Sequence, residues 1–251
     1  MMAKTKLYAL DFDGVICDSA IETGVTGWKV ARQIWQDMPE TTPADLIDLF
    51  RQVRPVMETG YEAILIMRLL FEGIPAQTLL NDFSASIETI IEQDDLSTAA
   101  LKKQFGETRD QWIIANIDEW IEMNPLFAGV ADKLNSIKTE QCTIITTKQE
   151  RFVSQIFTAN GISFPAERIF GLDRQLSKQH VLNDLSEQHP EHEVLFVEDR
   201  LPTLHNVIAD ERLTHVKCLF ADWGYNTDQD KIDAAQKAEI TTINLTEFIA
   251  L

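Results

Sequence analysis

The sequence is short of basic residues: 22 Lys and Arg stand against 40 Asp and Glu in 251 residues, a formal charge of −18. Nucleic acid is recognised by clustered Lys and Arg, so this balance excludes it as a partner and argues against an anionic membrane surface. Cysteines are few. Cys17, Cys142 and Cys218 form no CxxC pair and no close Cys/His cluster. An odd count without secretory context reads as reduced, buried thiols. Long apolar runs are missing too: residues 64–71 are interrupted by Arg68 and are too few to span a bilayer. The opening apolar stretch is cut by Asp11 and Asp13, which predicts no signal peptide. No repeat, low-complexity tract or charged tail is present. These absences lead to the expectation of a soluble, cytoplasmic protein, monomer or homodimer.

What is present is core material. With 45% hydrophobic and 25% charged residues the chain has the balance of one large or two modest globular domains. Residues 7–12 form an apolar run that ends in a carboxylate and then Gly14, the pattern of a buried strand stopping at a turn. From 19 to about 122 no strand pattern occurs. Amphipathic stretches at 21–38, 43–53, 57–71, 75–93 and 97–123, separated by proline and glycine, predict four or five helices. After Pro125 strands and helices alternate: helix 129–137, strand 142–146, helix 150–160, strand 168–170, helix 178–188, strand 194–197, helix 202–209, strand 216–220, helix 228–238, strand 240–243 and a terminal helix. Such alternation predicts an α/β core with a mainly parallel sheet. Residues 1–18 and 124–251 would build it around an all-helical insertion at 19–123.

In parallel α/β sheets ligands collect beyond the carboxyl ends of the strands. Those ends carry Asp11 and Asp13, then Thr146 and Thr147, then Glu198 and Asp199, with Lys178 opening a helix after another strand. Carboxylates, a hydroxyl and an ammonium at one edge suit phosphoryl transfer, where catalysis is chiefly charge neutralisation and positioning. A chain of charge −18 that meets an anionic substrate must supply positive charge locally, from a metal, a lysine or backbone N–H groups. Mg²⁺ prefers oxygen ligands and takes one or two carboxylates, which Asp11 and Asp199 can provide. A carboxylate can also attack phosphorus and split one hard step into two. Asp11 and Asp13, two apart on a strand, would share a face, one as nucleophile and one as proton donor. Gly14 would let the backbone turn close to a phosphate.

These residues resemble the signatures of the haloacid dehalogenase superfamily in its phosphatase branch. Asp11-Phe12-Asp13-Gly14-Val15 resembles the first, Ile144-Ile145-Thr146-Thr147-Lys148 the second, Lys178 before its helix the third, and Val194-Leu195-Phe196-Val197-Glu198-Asp199 the fourth. Pro125-Leu126-Phe127-Ala128-Gly129-Val130 and Asp222-Trp223-Gly224-Tyr225 are similar to pieces of phosphoglycolate-phosphatase-like members. The resemblance implies a Rossmann-like core with an inserted helical cap that closes over the site and selects a small phosphorylated metabolite. It implies that Asp11 attacks phosphorus and binds Mg²⁺, and that Asp13 protonates the leaving oxygen and gives its backbone carbonyl to the metal. Thr146 would hold the phosphoryl group, with Thr147 as the competing position. Lys178 would offset charge, Asp199 would ligate Mg²⁺, and Glu198 would be a ligand or a partner behind one. The Glu198-Asp199 pair, with no later acid in Arg200-Leu201-Pro202-Thr203, also resembles the β-phosphoglucomutase branch. Mutase action and non-catalytic binding of a phosphometabolite therefore stand beside phosphatase action.

Other residues read more plainly. Asp18 and Ser19 fit helix caps. Arg51, Arg54, Glu58 and Tyr61 flank Pro55 and Gly60 and are the insertion's candidates for substrate contact, with Arg54 foremost. Trp28, Trp35, Trp112 and Trp120 lie at helical spacing, as core residues do. The five histidines, His180, His189, His192, His205 and His215, show no ligand spacing and read as surface or capping residues.

Overall fold

The computed structural model describes residues 5–251. Residues 1–4, part of the first core segment and of the opening read as lacking a signal peptide, lie outside the described residues. The chain divides into two compact units, Met1–Asp18 with Leu126–Leu251, and Ser19–Pro125.

The first strand, β1 (Lys6–Leu10), is followed by seven helices: α1 (Ala20–Ile34), α2 (Ala44–Val53), α3 (Glu62–Phe71), α4 (Ala76–Asn81), α5 (Phe83–Gln93), α6 (Thr98–Ala115) and α7 (Ile117–Glu122). The expected count of four or five is corrected by breaks that lack Pro and Gly. Asp82, at φ −141° and ψ 50°, separates α4 from α5. Asn116, at φ −159° and ψ 84°, separates α6 from α7 and caps the latter by accepting from the Glu119 N–H at 3.2 Å. Short polar side chains compete with the helical backbone in this way and so start helices as well as end them. The stretch expected as one helix over 57–71 becomes helical only at Glu62, whose carboxylate accepts the Glu58 and Thr59 N–H groups at 2.7 and 2.9 Å. Pro43 is the N-cap of α2 and not its first helical residue.

Trp28, Phe50, Val53, Ile64, Ile66 and Met67 are fully buried at the centre of this helical unit. Beside them lies a buried ion pair. Glu22 accepts from Arg109 Nε and Nη2 at 2.7 and 2.6 Å, from Thr26 Oγ1 at 2.6 Å and from Trp120 Nε1 at 3.1 Å. Trp112 is also buried, and Trp35 packs partly buried while its Nε1 donates to Asp94 at 2.8 Å.

The remaining elements are α8 (Val130–Ser136), β2 (Cys142–Ile145), α9 (Glu150–Ala159), β3 (Ile169–Phe170), α10 (Lys178–Gln188), β4 (Glu193–Glu198), α11 (Leu201–Ile208), β5 (Lys217–Ala221), α12 (Asp228–Ala235), β6 (Ile240–Ile243) and α13 (Leu245–Ala250). Six strands form one sheet in the order β3-β2-β1-β4-β5-β6. Every pairing is parallel. The central strands are apolar and buried almost throughout, as parallel strands covered on both faces must be. Successive strands run outward from β1 to β3, and the chain then returns to the other side of β1 to lay down β4. That reversal is a topological switch point, where a crevice opens at the carboxyl ends of β1 and β4. Among the described residues no helix is long and apolar enough to cross a membrane.

Candidate active site

The switch point gathers the acids. β1 ends at Leu10, so Asp11 and Asp13 stand in the turn beyond it and not on one strand face as expected. Asp11 keeps the ladder going, its N–H donating to the Val197 carbonyl at 3.0 Å. The chain then turns tightly: the Ile16 and Cys17 N–H groups both donate to the Phe12 carbonyl at 2.9 Å, and Gly14 N–H donates to Cys17 at 2.9 Å. Gly14 has φ +90°, and any Cβ there would overlap the Asp199 carboxylate. Glycine is therefore required twice over, by conformation and by space. Gly224 approaches from β5, its missing side chain leaving room for Asp199 Cβ and the Gly14 carbonyl.

Asp11, Glu198 and Asp199 are all buried, and one carboxylate oxygen from each lies within 4.8 Å of the others. Lys178, the first residue of α10, reaches into this group. Its Nζ lies 2.5 Å from Asp11 Oδ1 and 2.6 Å from Glu198 Oε2. Ser177 fixes the helix start by accepting from the His180 N–H at 3.1 Å. Glu198 also accepts from the Arg200 N–H at 3.0 Å, and Asp199 Oδ2 from the Tyr225 N–H at 2.6 Å. Burial pushes the Asp11 carboxyl up to about 7, with Glu198 and Asp13 adding to the rise against the opposing pull of Lys178. Burial would lower the Lys178 ammonium, but Asp11 and Glu198 together outweigh it and its pKa rises. Three buried acids thus face one ammonium, a set that is short of positive charge.

Asp13 is held apart from that group, its Oδ1 accepting from Lys148 Nζ at 3.0 Å. Lys148 is only 4% exposed. It closes the Thr146-Thr147-Lys148 run after β2 but received no role from the sequence, because a lone lysine next to a strand most often lies on the surface. Thr146 is buried and donates its N–H to the Phe170 carbonyl at 2.9 Å, so the ladder extends one residue beyond β2; its Oγ1 accepts from the Lys148 N–H at 3.1 Å. Thr147 is exposed. Ser19 occupies the N-cap of α1, the position expected of it, without a side-chain capping bond, and Asp18 accepts from the Tyr225 hydroxyl at 2.9 Å. Arg54 belongs to the helical unit, where it is buried and Nη1 donates to the Met57 carbonyl at 3.4 Å.

The donor set fits a hard dication. Three buried carboxylates offer oxygen alone, the ligand type that Mg²⁺ selects, and two positive charges would balance the excess that Lys178 leaves. Asp11, Asp199 and Glu198 are the residues that would hold it.

A six-stranded parallel sheet in this order, with a helical insertion after its first strand and acids at the switch point, is the haloacid dehalogenase-like fold. Solved structures with that fold match over nearly the whole chain. A predicted phosphatase from Clostridium acetobutylicum superposes with a TM-score of 0.57 at 14% identity, covering 99% of this chain and 98% of its own. A haloacid dehalogenase-like family hydrolase from Streptococcus pneumoniae gives 0.57 at 16% identity, covering 98% and 97%. A predicted phosphoglycolate phosphatase from Haemophilus somnus gives 0.56 at 17% identity, covering 92% and 93%. No protein-family model and no curated protein matches the sequence.

Proposed function

We propose that this protein is a cytoplasmic, Mg²⁺-dependent phosphatase that hydrolyses a small phosphorylated metabolite through an aspartyl-phosphate on Asp11. The observation that carries the reading is the buried Asp11, Glu198 and Asp199 cluster with Lys178 bonded into it at the sheet's switch point. Similarity to structures of predicted phosphatases supports it.

In this reading Asp11 Oδ attacks phosphorus, and the bond to the leaving oxygen breaks as Asp13 gives that oxygen a proton. Asp13, now a carboxylate, takes a proton from water as the water attacks the aspartyl-phosphate, which releases phosphate and regenerates Asp11. Dividing the work between two carboxyls calls for different surroundings: Asp11 is paired with Lys178, Asp13 with Lys148. Thr146 holds the phosphoryl oxygens, with the exposed Thr147 as the competing position, and Lys178 offsets negative charge on Asp11 and phosphate. A bound Mg²⁺ supplies Lewis-acid neutralisation of the phosphate dianion. Substrate selection belongs to the helical insertion, with Arg54 as the side chain to test first.

Assay of phosphate release across a panel of phosphorylated metabolites tests this. Turnover should require Mg²⁺, cease in EDTA, and fall at least about a thousandfold in Asp11→Asn. A product scan on the same samples would reveal isomerised sugar phosphates if the chain is a mutase, the action that the Glu198-Asp199 pairing leaves beside hydrolysis. Tight binding without turnover across the panel would refute both enzymatic readings.

A further inference from the structure

The amino edge of the same sheet carries a second group of ligand-type side chains, remote from the acids at the carboxyl edge. α10 ends at Gln188, and β4 begins at Glu193. Between them His189-Pro190-Glu191-His192 forms a tight turn, the His192 N–H donating to the His189 carbonyl at 3.0 Å. Proline at the second position fixes that turn's backbone. Two imidazoles and a carboxylate are thereby set on one short, preorganised loop. Ligand atoms of His189, Glu191 and His192 all lie within 4.8 Å of one another. The rings stand 5.4 Å apart, centroid to centroid, at 76°. His192 Nδ1 and Glu191 Oε1 are drawn together to 2.6 Å, the reach of a hydrogen bond or ion pair.

We propose that His189, Glu191 and His192 form a binding site for a divalent transition ion of the zinc class. Two nitrogens and one oxygen match the donor set that Zn²⁺ accepts with three protein ligands and an open fourth position. Imidazole suits Zn²⁺, Ni²⁺ and Cu²⁺, while Mg²⁺ keeps to oxygen, so the two edges of the sheet select different ions. His189 and His192 line a cleft of about 470 Å³ that His215 also lines. Lys217 shares the cleft, and its ammonium is 4.0 Å from Glu193 Oε1, which answers its charge. The absence of HExxH spacing hid this site, because its two histidines meet through a proline turn and not across a helix face. His189 does occupy the helix C-cap, in line with the capping role expected of the histidines.

The experiment is calorimetric titration of the tag-free, metal-stripped full chain with Zn²⁺ in excess Mg²⁺, with Co²⁺ absorption as a second readout of nitrogen ligation. One equivalent should bind, and His189→Ala/His192→Ala should lose that isotherm or weaken it by at least about tenfold. His180→Ala, at an exposed histidine elsewhere on α10, should leave it intact, and circular dichroism should find all variants folded. Binding that survives the double substitution, or that disappears in Asp199→Asn with both histidines in place, would overturn the assignment. Neither readout uses phosphate release, so the outcome is independent of the proposed phosphatase activity.

Discussion

At the residue scale the site depends on what is not there as much as on what is. The turn after β1 can bring Asp199 against the backbone only because position 14 has no side chain. Gly14→Ala must place a methyl at φ +90° against a buried carboxylate, and strain of this kind costs of order 1–3 kcal/mol. A lower melting temperature together with lost phosphate release is the expected result, read by calorimetry and by the Mg²⁺ assay; a stable, active variant would contradict the close packing of Gly14 on Asp199. Lys148 is the other position where one side chain sets up another. Its buried ammonium orients Asp13, the proposed acid and base, through a 3.0 Å contact. Acid–base catalysis contributes about 10²–10⁴-fold, so Lys148→Met should lower kcat by about a hundredfold with little change in KM. Lys148→Arg, which keeps the charge, should recover part of that loss. A fall confined to KM would instead place Lys148 among the groups that bind substrate.

At the scale of elements the helical unit is tied together by a charge pair and not by apolar packing alone. Glu22 on α1 is fully buried and takes four hydrogen bonds, two of them from Arg109 on α6 and one from Trp120 on α7. Removing one member leaves the other buried without its counter-charge, at about 3–5 kcal/mol. Arg109→Met should therefore lower the unit's stability by that amount in urea titration, and Glu22→Leu/Arg109→Met should be less damaged than the sum of its single changes. Glu22 shows where sequence reading stopped. Within 20–34 it looks like any first-turn acid, and only α6, more than eighty residues on, makes it a core residue. Breaks at Asp82 and Asn116 were hidden because Asp and Asn occur inside helices as well as at their ends, so neither marks a boundary as Pro or Gly does. The sheet was far more legible. A short apolar run such as 194–197 has one reading when helical patterns alternate with it. Strand ends placed Asp11, Glu198 and Asp199 in one neighbourhood, and the start of the helix after β3 added Lys178 to it. The histidine turn gave no signal because its side chains converge through a backbone bend and not through a period of strand or helix.

At the scale of the molecule, a chain of net charge −18 holds a site whose members are three buried acids and one lysine. Folding must bury acids there, and the rise of the Asp11 carboxyl to about 7 records chiefly the cost of burial, with Glu198 and Asp13 adding to it. A dication bound by the folded site and not by the unfolded chain would relieve it, and mass action converts binding into stability, about 2.7 kcal/mol at a hundredfold excess over Kd. For a chain of this size each kcal/mol corresponds to roughly 2–4 °C. Mg²⁺ should therefore raise the melting temperature by about 5–10 °C relative to EDTA. Because the helical unit has its own core and its own ion pair, the shift should fall on the transition of the α/β unit wherever the two melt separately. Asp199→Asn should abolish the shift, while Arg109→Met should lower the baseline yet keep it. A Mg²⁺ response that persists in Asp199→Asn would mean that the ion is gathered by the acidic surface at large and not by the acids at the switch point.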